Sequence, residues 1–149
     1  MMKVIQEVFD KTLIEKLLKI VEKQMNFIGS KHDHEKIRIA IKNAQKNNRT
    51  VFFVKINETD EFIGFAFCNI CSGLETGADY LWINEIYVES EYRRKGKASE
   101  ILKFIEKWAK DKGIKYIATM TSKKNNGSKS LFKNMEYELE EILWIDKNI

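Results

Sequence analysis

Hydrophobic residues in the first third of the chain recur at helical spacing. One set predicts a helix over residues 10–26 and consists of Ile14, Leu17, Leu18, Val21 and Met25. After a linker at residues 27–32, Asp33 is placed to act as the N-cap of a second helix. That helix carries Ile37, Ala40, Ile41 and Ala44. Residues 4–8 precede both helices and predict a short first strand.

The middle of the chain changes to strand patterns separated by turn residues. Residues 50–56 predict a strand, residues 57–60 have turn chemistry, and residues 62–70 predict the hairpin partner. A glycine-containing loop at residues 72–78 leads to a further strand at 80–88. Apolar residues occupy both faces of that strand, which is typical of a strand inside a sheet.

The last third alternates between helix and strand. A long amphipathic helix ends at Gly113 and carries Ala98, Ile101, Leu102, Ile105, Trp108 and Ala109 on one stripe. Residues 115–121 predict a strand, 127–135 a short helix and 137–145 a final strand. A strand, helix and strand in succession predict a right-handed crossover between parallel strands.

Composition places the chain among soluble globular proteins of one domain. It has 149 residues, of which 44% are hydrophobic and 32% charged. The longest apolar stretch, residues 62–71, is too short to span a bilayer, and no secretory signal is visible. With two cysteines, the expected setting is the cytoplasm, without a membrane partner. The net charge of +4 is below that of a dedicated nucleic-acid binder, so no nucleic-acid partner is expected.

The most informative segment is the basic turn at residues 92–98, Tyr-Arg-Arg-Lys-Gly-Lys-Ala, between the strand at 80–88 and the amphipathic helix. The first backbone N–H groups of a helix have no partner within the helix. They combine with the positive end of the helix dipole to attract anions. The cationic side chains of the turn strengthen this preference. The segment therefore predicts a site for a phosphate-bearing ligand.

These residues resemble the GNAT superfamily of acetyl-CoA-dependent N-acetyltransferases. The family turn is Arg or Gln, two residues, Gly, one residue, then Gly or Ala, which Arg93 to Ala98 fit. A second family motif is present in degraded form as Asn125, Ser128, Leu131, Phe132 and Glu136-Tyr137. The order of elements over nearly the whole chain also agrees. The resemblance implies an α/β fold (α+β mixed sheet), GNAT-like, with a central mixed sheet flanked by helices in one domain, residues 1–149.

The resemblance also implies an activity and a set of site residues. The chain would move an acetyl group from the co-substrate acetyl-CoA to a primary amine of a small molecule or peptide. The pyrophosphate of CoA would contact the turn, pantetheine the end of the strand, and Asn125 the opposite side of the cofactor. A backbone N–H near Val88 would stabilise the oxyanion. The implied cofactor-binding residues are Ile86, Tyr87, Val88, Arg93, Arg94, Lys95, Gly96, Lys97, Ala98, Asn125 and Phe132.

Two steps of the chemistry need side chains. Glu85 is the best candidate for the base that removes the amine proton, its alternative being a solvent-facing residue or the partner of a lysine. Phe132 stands where the family commonly has a tyrosine that protonates the leaving thiolate, and phenylalanine cannot do so. Tyr137, Tyr87 and Ser130 are the candidate substitutes. A catalytically weak or inactive acyl-CoA-binding module is therefore the second hypothesis, and a basic nucleic-acid-binding protein is the third.

Other polar residues leave further possibilities open. Cys68 and Cys71 have metal-ligand spacing, but positions three apart in a strand point to opposite faces, so no metal site is expected. His32 and His34 are more consistent with a polar helix start that could help select the substrate. Acidic residues in the acceptor-side loops suggest a cationic acceptor; these are Glu75, Asp79, Asp33 and Glu35. A homodimer remains open, because dimers are frequent in the family.

Overall fold

The computed structural model describes residues 1–6 and 10–149. The chain divides into two compact units, Met1–Thr119 and Met120–Ile149, and each is described by itself. The predicted single domain over residues 1–149 stays a prediction. The end of the predicted first strand, residues 7 and 8, lies outside the described residues.

The first unit is built on a five-stranded mixed sheet with the order β1-β2-β3-β4-β5. Its strands are β1 Met2–Ile5, β2 Thr50–Ile56, β3 Phe62–Gly73, β4 Ala78–Val88 and β5 Ile117–Thr119. The pairs from β1 to β4 are antiparallel, whereas β4 and β5 are parallel. The predicted mixed sheet with a parallel pair around a helix is therefore confirmed. β3 is longer than predicted and β5 is shorter.

Three helices belong to the first unit, and their predicted positions are confirmed. They are α1 Lys11–Phe27, α2 His34–Gln45 and α3 Lys97–Asp111. Asp10 caps α1 by accepting a hydrogen bond from the Leu13 amide at 2.7 Å. Asp33 caps α2 in the same way, accepting from the Lys36 amide at 3.0 Å. Both caps satisfy an amide that the helix itself leaves unpaired.

The sheet has an apolar core on each face. On one face, α1 and α2 pack against the alternate residues Phe52, Val54 and Ile56 of β2. On the other, Phe53 is fully buried and meets α3 through edge-to-face contacts with Phe104 and Trp108, at ring distances of 6.1 and 5.2 Å. Successive residues of a strand point to opposite faces, so one strand, β2, supplies both cores. The helices flank the sheet, as predicted.

The second unit contains one helix, α4 Asn126–Asn134. The Asn125 side chain caps it by accepting a hydrogen bond from the Ser128 amide at 3.0 Å. After the helix, the Tyr137 amide donates to the Phe132 carbonyl at 2.9 Å. The two aromatic rings then pack edge to face at 5.2 Å. The predicted short helix over residues 127–135 is confirmed within one residue at each end.

The predicted final strand over residues 137–145 is wrong. All of these residues are described, and none of them belongs to a strand. Leu143 and Ile145 are each 87% exposed and Trp144 is 66% exposed. A strand is stable only when a neighbouring strand pairs with its backbone and one of its faces is buried. The apolar pattern of this segment reflects the intrinsic strand preference of its residues. It does not provide a neighbouring strand or a buried face.

The aromatic contact between β2 and α3 generates a stability prediction. Phe53→Ala should lower the free energy of unfolding by about 3–5 kcal/mol, because it removes a fully buried ring and leaves a cavity. Urea unfolding of the variant should show a lower midpoint with an unchanged slope. Leu74→Ala is the control, because Leu74 is 96% exposed and its truncation should change stability by less than about 0.5 kcal/mol. Equal losses in the two variants would contradict the burial argument.

Candidate cofactor and active site

An irregularity in β4 changes how the strand is paired. Glu85 lies opposite Phe67 of β3, but the next pair along β3 joins Cys68 to Ile83. Asn84 is therefore an extra residue with no partner position on β3, which defines a β-bulge. Bulges bend a strand and change the direction in which the following residues point.

On its other side, β4 loses its partner at the same place. Parallel pairing with β5 joins only residues 81–83 of β4 to residues 117–119. The hydroxyl of Thr119 marks the end of this pairing, because it donates to the Ile83 carbonyl at 2.8 Å. In the described sheet, β4 therefore has a strand on both sides before the bulge and only β3 beside it afterwards.

The hydrogen-bond alternation identifies which backbone groups lie on the open edge. The Glu89 amide donates to the Ile63 carbonyl of β3 at 2.9 Å. Neighbouring residues of an antiparallel strand alternate, so Glu85 and Tyr87 also direct their amides to β3, whereas Ile86 and Val88 direct theirs to the open edge. The Val88 carbonyl accepts a hydrogen bond from Arg93 Nε at 2.8 Å. An extended ligand could pair with the remaining groups of this edge as a strand would.

The N-terminus of α3 lacks the cap that the other α-helices of the described chain have. Side chains of Asp10, Asp33 and Asn125 accept amide hydrogen bonds at the starts of α1, α2 and α4. The N-cap of α3 is Gly96, which has no side chain to offer. The first bond of that helix runs from the Glu100 amide to the Gly96 carbonyl at 3.0 Å. The amides of residues 97–99 therefore have no partner within the helix.

The backbone around Gly96 forms a concave surface that is open to a ligand. Gly96 has φ +71°, and Arg94 has φ +58° although it is not a glycine. A left-handed residue next to the first right-handed residues of a helix, as Gly96 is, turns successive N–H groups toward a common point, which favours an anion. A Cβ added at Gly96 would meet no protein atom within 4 Å, so this surface faces open space. The arrangement suits a pyrophosphate group.

The four cations of the turn have different environments. The Arg93 guanidinium lies 3.8 Å from the centroid of the Phe27 ring and also bonds to the Val88 carbonyl. Lys97 donates to Glu100 at 3.0 Å. Arg94 and Lys95 are exposed. Two of the cations thus hold the turn to the rest of the unit, and the other two face solvent, where they can meet a phosphate.

Glu100 links the start of α3 to the sheet. Its carboxylate forms ion pairs with Lys55 of β2 and with Lys97. Hydrogen bonds from these two ammonium groups, Lys55 first, lower the pKa of the Glu100 carboxyl from its ordinary value. These contacts place one acidic side chain beside the basic turn.

Glu85 is half-buried on the face of β4 that packs against α1. Its Oε2 accepts a hydrogen bond from Gln24 Nε2 at 2.5 Å. This arrangement differs from the lysine pair that the sequence left open. Gln24 itself was missed in the sequence, although a signal existed. It lies three residues after Val21 and seven after Leu17, so it is a polar residue on the apolar stripe of α1.

The next acidic residue on this side of β4 is already paired. Glu89 forms an ion pair with Lys23 of α1. The hydrogen bond to Glu89 is the main reason why the pKa of Lys23 is raised. Lys23 is therefore held at the end of β4, one residue before Gln24 in the chain.

Most acidic residues proposed to attract a cationic acceptor already have a partner within the protein, either a helix N-terminus or an arginine. Asp33 caps α2, and its hydrogen bond from the Lys36 amide lowers the pKa of its carboxyl. Glu35 pairs with Arg38, and Asp79 pairs with Arg49 at 2.8 Å. Glu75 is exposed. Their presence in the sequence thus says little about the charge of the acceptor.

The two histidines contact a residue of α1. His34 Nδ1 bonds to the Glu22 carboxylate, and His32 Nε2 lies 3.9 Å from the same oxygen. The prediction of a polar helix start is consistent with these contacts. Among the described residues, no group of three or more His, Cys, Asp and Glu side chains could hold a metal ion. Cys68 is buried, and burial raises the pKa of its thiol, whereas Cys71 is half-buried.

Two predicted cofactor-binding residues lie in the second unit. Asn125 uses its side-chain oxygen to cap α4, and Phe132 is 4% exposed against Tyr137. Phe132 thus has a packing role within its own unit. The assignment of both residues to the cofactor stays a prediction, as do the assignments at residues 86–88 and 93–98.

Comparison with known protein families identifies the family to which the chain belongs. The family model of the acetyltransferase (GNAT) family matches residues 11–137. The chain belongs to the GNAT acetyltransferase family. The resemblance seen in the basic turn is therefore confirmed, together with the GNAT-like fold and the description of the chain as a transferase. No curated protein sequence matches it significantly.

Solved structures agree with this fold at low sequence identity. The crystal structure of a probable acetyltransferase has a TM-score of 0.86 and 16% identity, covering 99% of each chain. The structure of AAC(6')-Iy with the bisubstrate analogue CoA-S-monomethyl-acetylneamine has a TM-score of 0.79 and 20% identity, covering 100% of this chain and 99% of the other. An aminoglycoside acetyltransferase from an uncultured soil metagenomic sample, in complex with sisomicin, has a TM-score of 0.81 and 12% identity, covering 99% and 96%. Similarity at this level of identity shows the fold.

No helix in the described part of the chain is long and apolar enough to cross a membrane.

The Glu100 ion pairs generate a prediction about pH. Because the pKa of Glu100 in the folded protein lies below its ordinary value of 4.5, its stabilising contribution is complete above that pH. The contribution is lost as the pH falls through the lower, folded pKa. The difference in unfolding free energy between the protein and Glu100→Gln, measured by urea unfolding, should therefore be constant from pH 7 to about 5 and shrink below 4.5.

Glu106→Gln on the same helix is the control, because Glu106 forms no ion pair among the described residues. Its effect on stability should vary less over this pH range. A Glu100→Gln effect that stays constant down to pH 3 would contradict the assignment of these ion pairs.

Proposed function

We propose that this protein transfers an acetyl group from acetyl-CoA to a primary amine. The observation that carries the proposal is the uncapped N-terminus of α3. Gly96 stands where α1, α2 and α4 have a capping carboxylate or amide, so the amides of residues 97–99 are left for an external acceptor. A phosphate oxygen satisfies those amides, and the helix dipole favours its charge.

The cofactor would use two sets of backbone groups. Its pyrophosphate would accept hydrogen bonds from the amides of residues 94–98, with Arg94 and Lys95 adding charge from solvent. Its pantetheine arm would pair with the open edge of β4 at Ile86 and Val88, where β5 no longer pairs. The family resemblance implies cofactor-binding roles for Asn125 and Phe132 as well.

The chemical step would be a direct transfer. The amine nitrogen attacks the thioester carbonyl carbon, and the developing oxyanion accepts a hydrogen bond from the Val88 amide on the open edge. Glu85 takes one proton from the protonated amine, which gives the neutral nucleophile, and the second proton, which the nitrogen loses as the C–N bond forms, passes to a water molecule. The C–S bond then breaks, and the CoA thiolate takes a proton from water, because Phe132 has none to give.

The acceptor class follows from the site only in part. Glu85 is the carboxylate that β4 presents beside the open edge, and it would attract a protonated amine. Among the compared structures, AAC(6')-Iy and the soil-metagenome enzyme are aminoglycoside acetyltransferases. We therefore propose aminoglycosides, with sisomicin first, as the amines to screen, followed by polyamines and peptides with a free N-terminus. A homodimer remains a proposal that light scattering can test.

Binding of the cofactor is testable without knowing the acceptor. Acetyl-CoA at about a hundred times its dissociation constant should stabilise the protein by roughly 2.7 kcal/mol, which raises Tm by roughly 5–10 °C. Gly96→Ala should abolish most of this shift, because the new Cβ projects into the surface proposed for the pyrophosphate. Differential scanning fluorimetry with and without acetyl-CoA measures both proteins.

Gly113→Ala is a matched control at the other end of α3. Gly113 has φ +77° and, like Gly96, no protein atom within 4 Å of an added Cβ, so both variants introduce similar backbone strain. Gly113→Ala should lower Tm without reducing the shift caused by acetyl-CoA. Absence of a shift in the unmodified protein at millimolar acetyl-CoA would refute the acetyltransferase proposal.

The proposed base is testable by kinetics. Glu85→Gln should lower kcat by about a hundredfold or more and leave the KM for acetyl-CoA nearly unchanged, since it removes a proton acceptor without changing the cofactor site. Release of the CoA thiol in the presence of an amine measures both parameters. Full activity in Glu85→Gln would show that another group accepts the proton.

The catalytically weak or inactive acyl-CoA-binding module makes a different prediction. It expects the thermal shift with acetyl-CoA but no thiol release with any amine of the screen. Phe132→Tyr then distinguishes an enzyme that lacks only its proton donor from a protein that binds acyl-CoA without catalysing transfer. A large gain in rate would indicate that only the proton donor is missing, whereas no change would indicate a binding module.

A further inference from the structure

Gln24 is a buried polar residue in an otherwise apolar surface. It is 5% exposed and lies on the side of α1 that carries Leu17, Ile20 and Val21 against the sheet. Its side-chain amide nitrogen donates to Glu85 Oε2 at 2.5 Å across the boundary between α1 and β4. Sixty-one residues of chain separate the two partners, so this contact exists only in the folded unit.

The other half of the Gln24 amide is unsatisfied. Its Oε1 is buried and accepts no hydrogen bond from the described residues. A buried acceptor without a donor destabilises a folded protein, whereas an apolar side chain of the same length would pack there without that cost. Core stability therefore does not explain a glutamine at this position. The contact with Glu85 is the one benefit that its amide supplies.

A neutral donor has a particular consequence for the carboxylate. Lysine or arginine at position 24 would form an ion pair and make Glu85 a weaker base, because an opposite charge stabilises the ionised form strongly. An amide fixes one carboxylate oxygen without adding a charge. The nearest cation along α1, Lys23, is held by Glu89. One oxygen of Glu85 is thus held in place by a neutral partner.

We propose that Gln24 is a positioning residue for the acetyl-transfer reaction, holding Glu85 by Oε2 so that Oε1 is left to accept the proton of the acceptor amine. This inference rests on the proposed function of Glu85. The competing interpretation is that Gln24 merely packs α1 against β4. The two differ in what they predict for catalysis and for stability.

Gln24→Met separates the two interpretations, because methionine has a similar length and volume but neither donor nor acceptor. A positioning role predicts a fall in kcat of roughly ten- to a hundredfold with an unchanged KM for acetyl-CoA and an unchanged or higher Tm. A packing role predicts a lower Tm and no selective loss of kcat. Leu18→Met is the matched control on α1, because Leu18 is also buried and its side chain has no hydrogen-bonding group to offer Glu85. It should leave kcat within about twofold.

A double-mutant cycle tests whether the effect of Gln24 passes through Glu85. In the Glu85→Gln background, Gln24→Met should cause no further loss of kcat, because the carboxylate that it orients is already absent. If instead the loss of kcat in the double variant equals the combined losses of the two single variants, the positioning role is overturned. The thiol-release assay with acetyl-CoA and an active amine of the screen, beginning with sisomicin, serves all four proteins.

The contact can also be measured directly in case Gln24→Met fails to fold. The chain has three glutamines, Gln6, Gln24 and Gln45, so their side-chain amide signals can be resolved after 15N-glutamine labelling. Glu85→Ala, which adds no glutamine to the chain, should shift the Gln24 amide signals and leave the Gln6 signals unchanged. Unchanged Gln24 signals would overturn the inference.

Failure of this inference and of the proposed function are distinguishable. Full activity in Gln24→Met, together with a strong loss in Glu85→Gln, would overturn the positioning role alone. Full activity in Glu85→Gln would overturn the proposed base and the positioning role with it. Absence of thiol release by the unmodified protein with every amine would overturn the proposed transfer reaction and this inference together.

Discussion

The pairing of backbone hydrogen-bonding groups along β4 is the constraint on which the site depends. Up to Ile83 the strand has β3 on one side and β5 on the other. The extra residue at Asn84 and the end of β5 then leave the following edge without a strand. Such groups must find another partner or remain in water. In the function proposed above, an extended ligand arm supplies that partner, so the same interruption that weakens the sheet leaves a surface for binding.

The same principle governs the start of α3, only a few residues further along the chain. A helix leaves its first amides unpaired, and the other α-helices of the described chain satisfy one of theirs with a side chain. Gly96 leaves all of them available. The segment from Val88 to Gly96 therefore connects two sets of unsatisfied backbone donors. Arg93 stiffens this connection, because it bonds to the Val88 carbonyl and stacks on Phe27.

Much of the fold could be predicted from sequence because its helices carry dense, regular apolar stripes. α1, α3 and the hairpin of β2 and β3 lie close to their predicted positions. The strand predicted at residues 137–145 was wrong, because strand formation depends on partners that the local pattern does not contain. The bulge at Asn84 could not be predicted either, because it also depends on how two strands pair. It is a mismatch in register between two strands, and neither strand shows it alone.

The parts of the candidate site that lie close together in the sequence could be predicted, whereas the contacts between distant residues could not. Residues 93–98 combine a motif, a helix start and a charge cluster within six positions, so an anion site could be proposed from the sequence alone. The environment of Glu85 could not, since its partner Gln24 comes from a distant helix. The interruption of the α1 stripe by a polar residue was visible, but nothing in the sequence said which residue it would meet. Long-range side-chain pairs of this kind need the fold first.

A binding site made of backbone groups constrains the sequence less than one made of side chains. A cofactor bound by backbone amides requires a turn, a small residue and an open strand edge, and many sequences meet those conditions. The compared structures share the fold at only 12–20% identity. An acceptor recognised by side chains requires particular residues. In this chain Asp33, Glu35 and Asp79 are already paired, so the number of acidic residues does not measure attraction for a cation. Glu85 differs from these three residues because its hydrogen-bond partner, Gln24, is neutral.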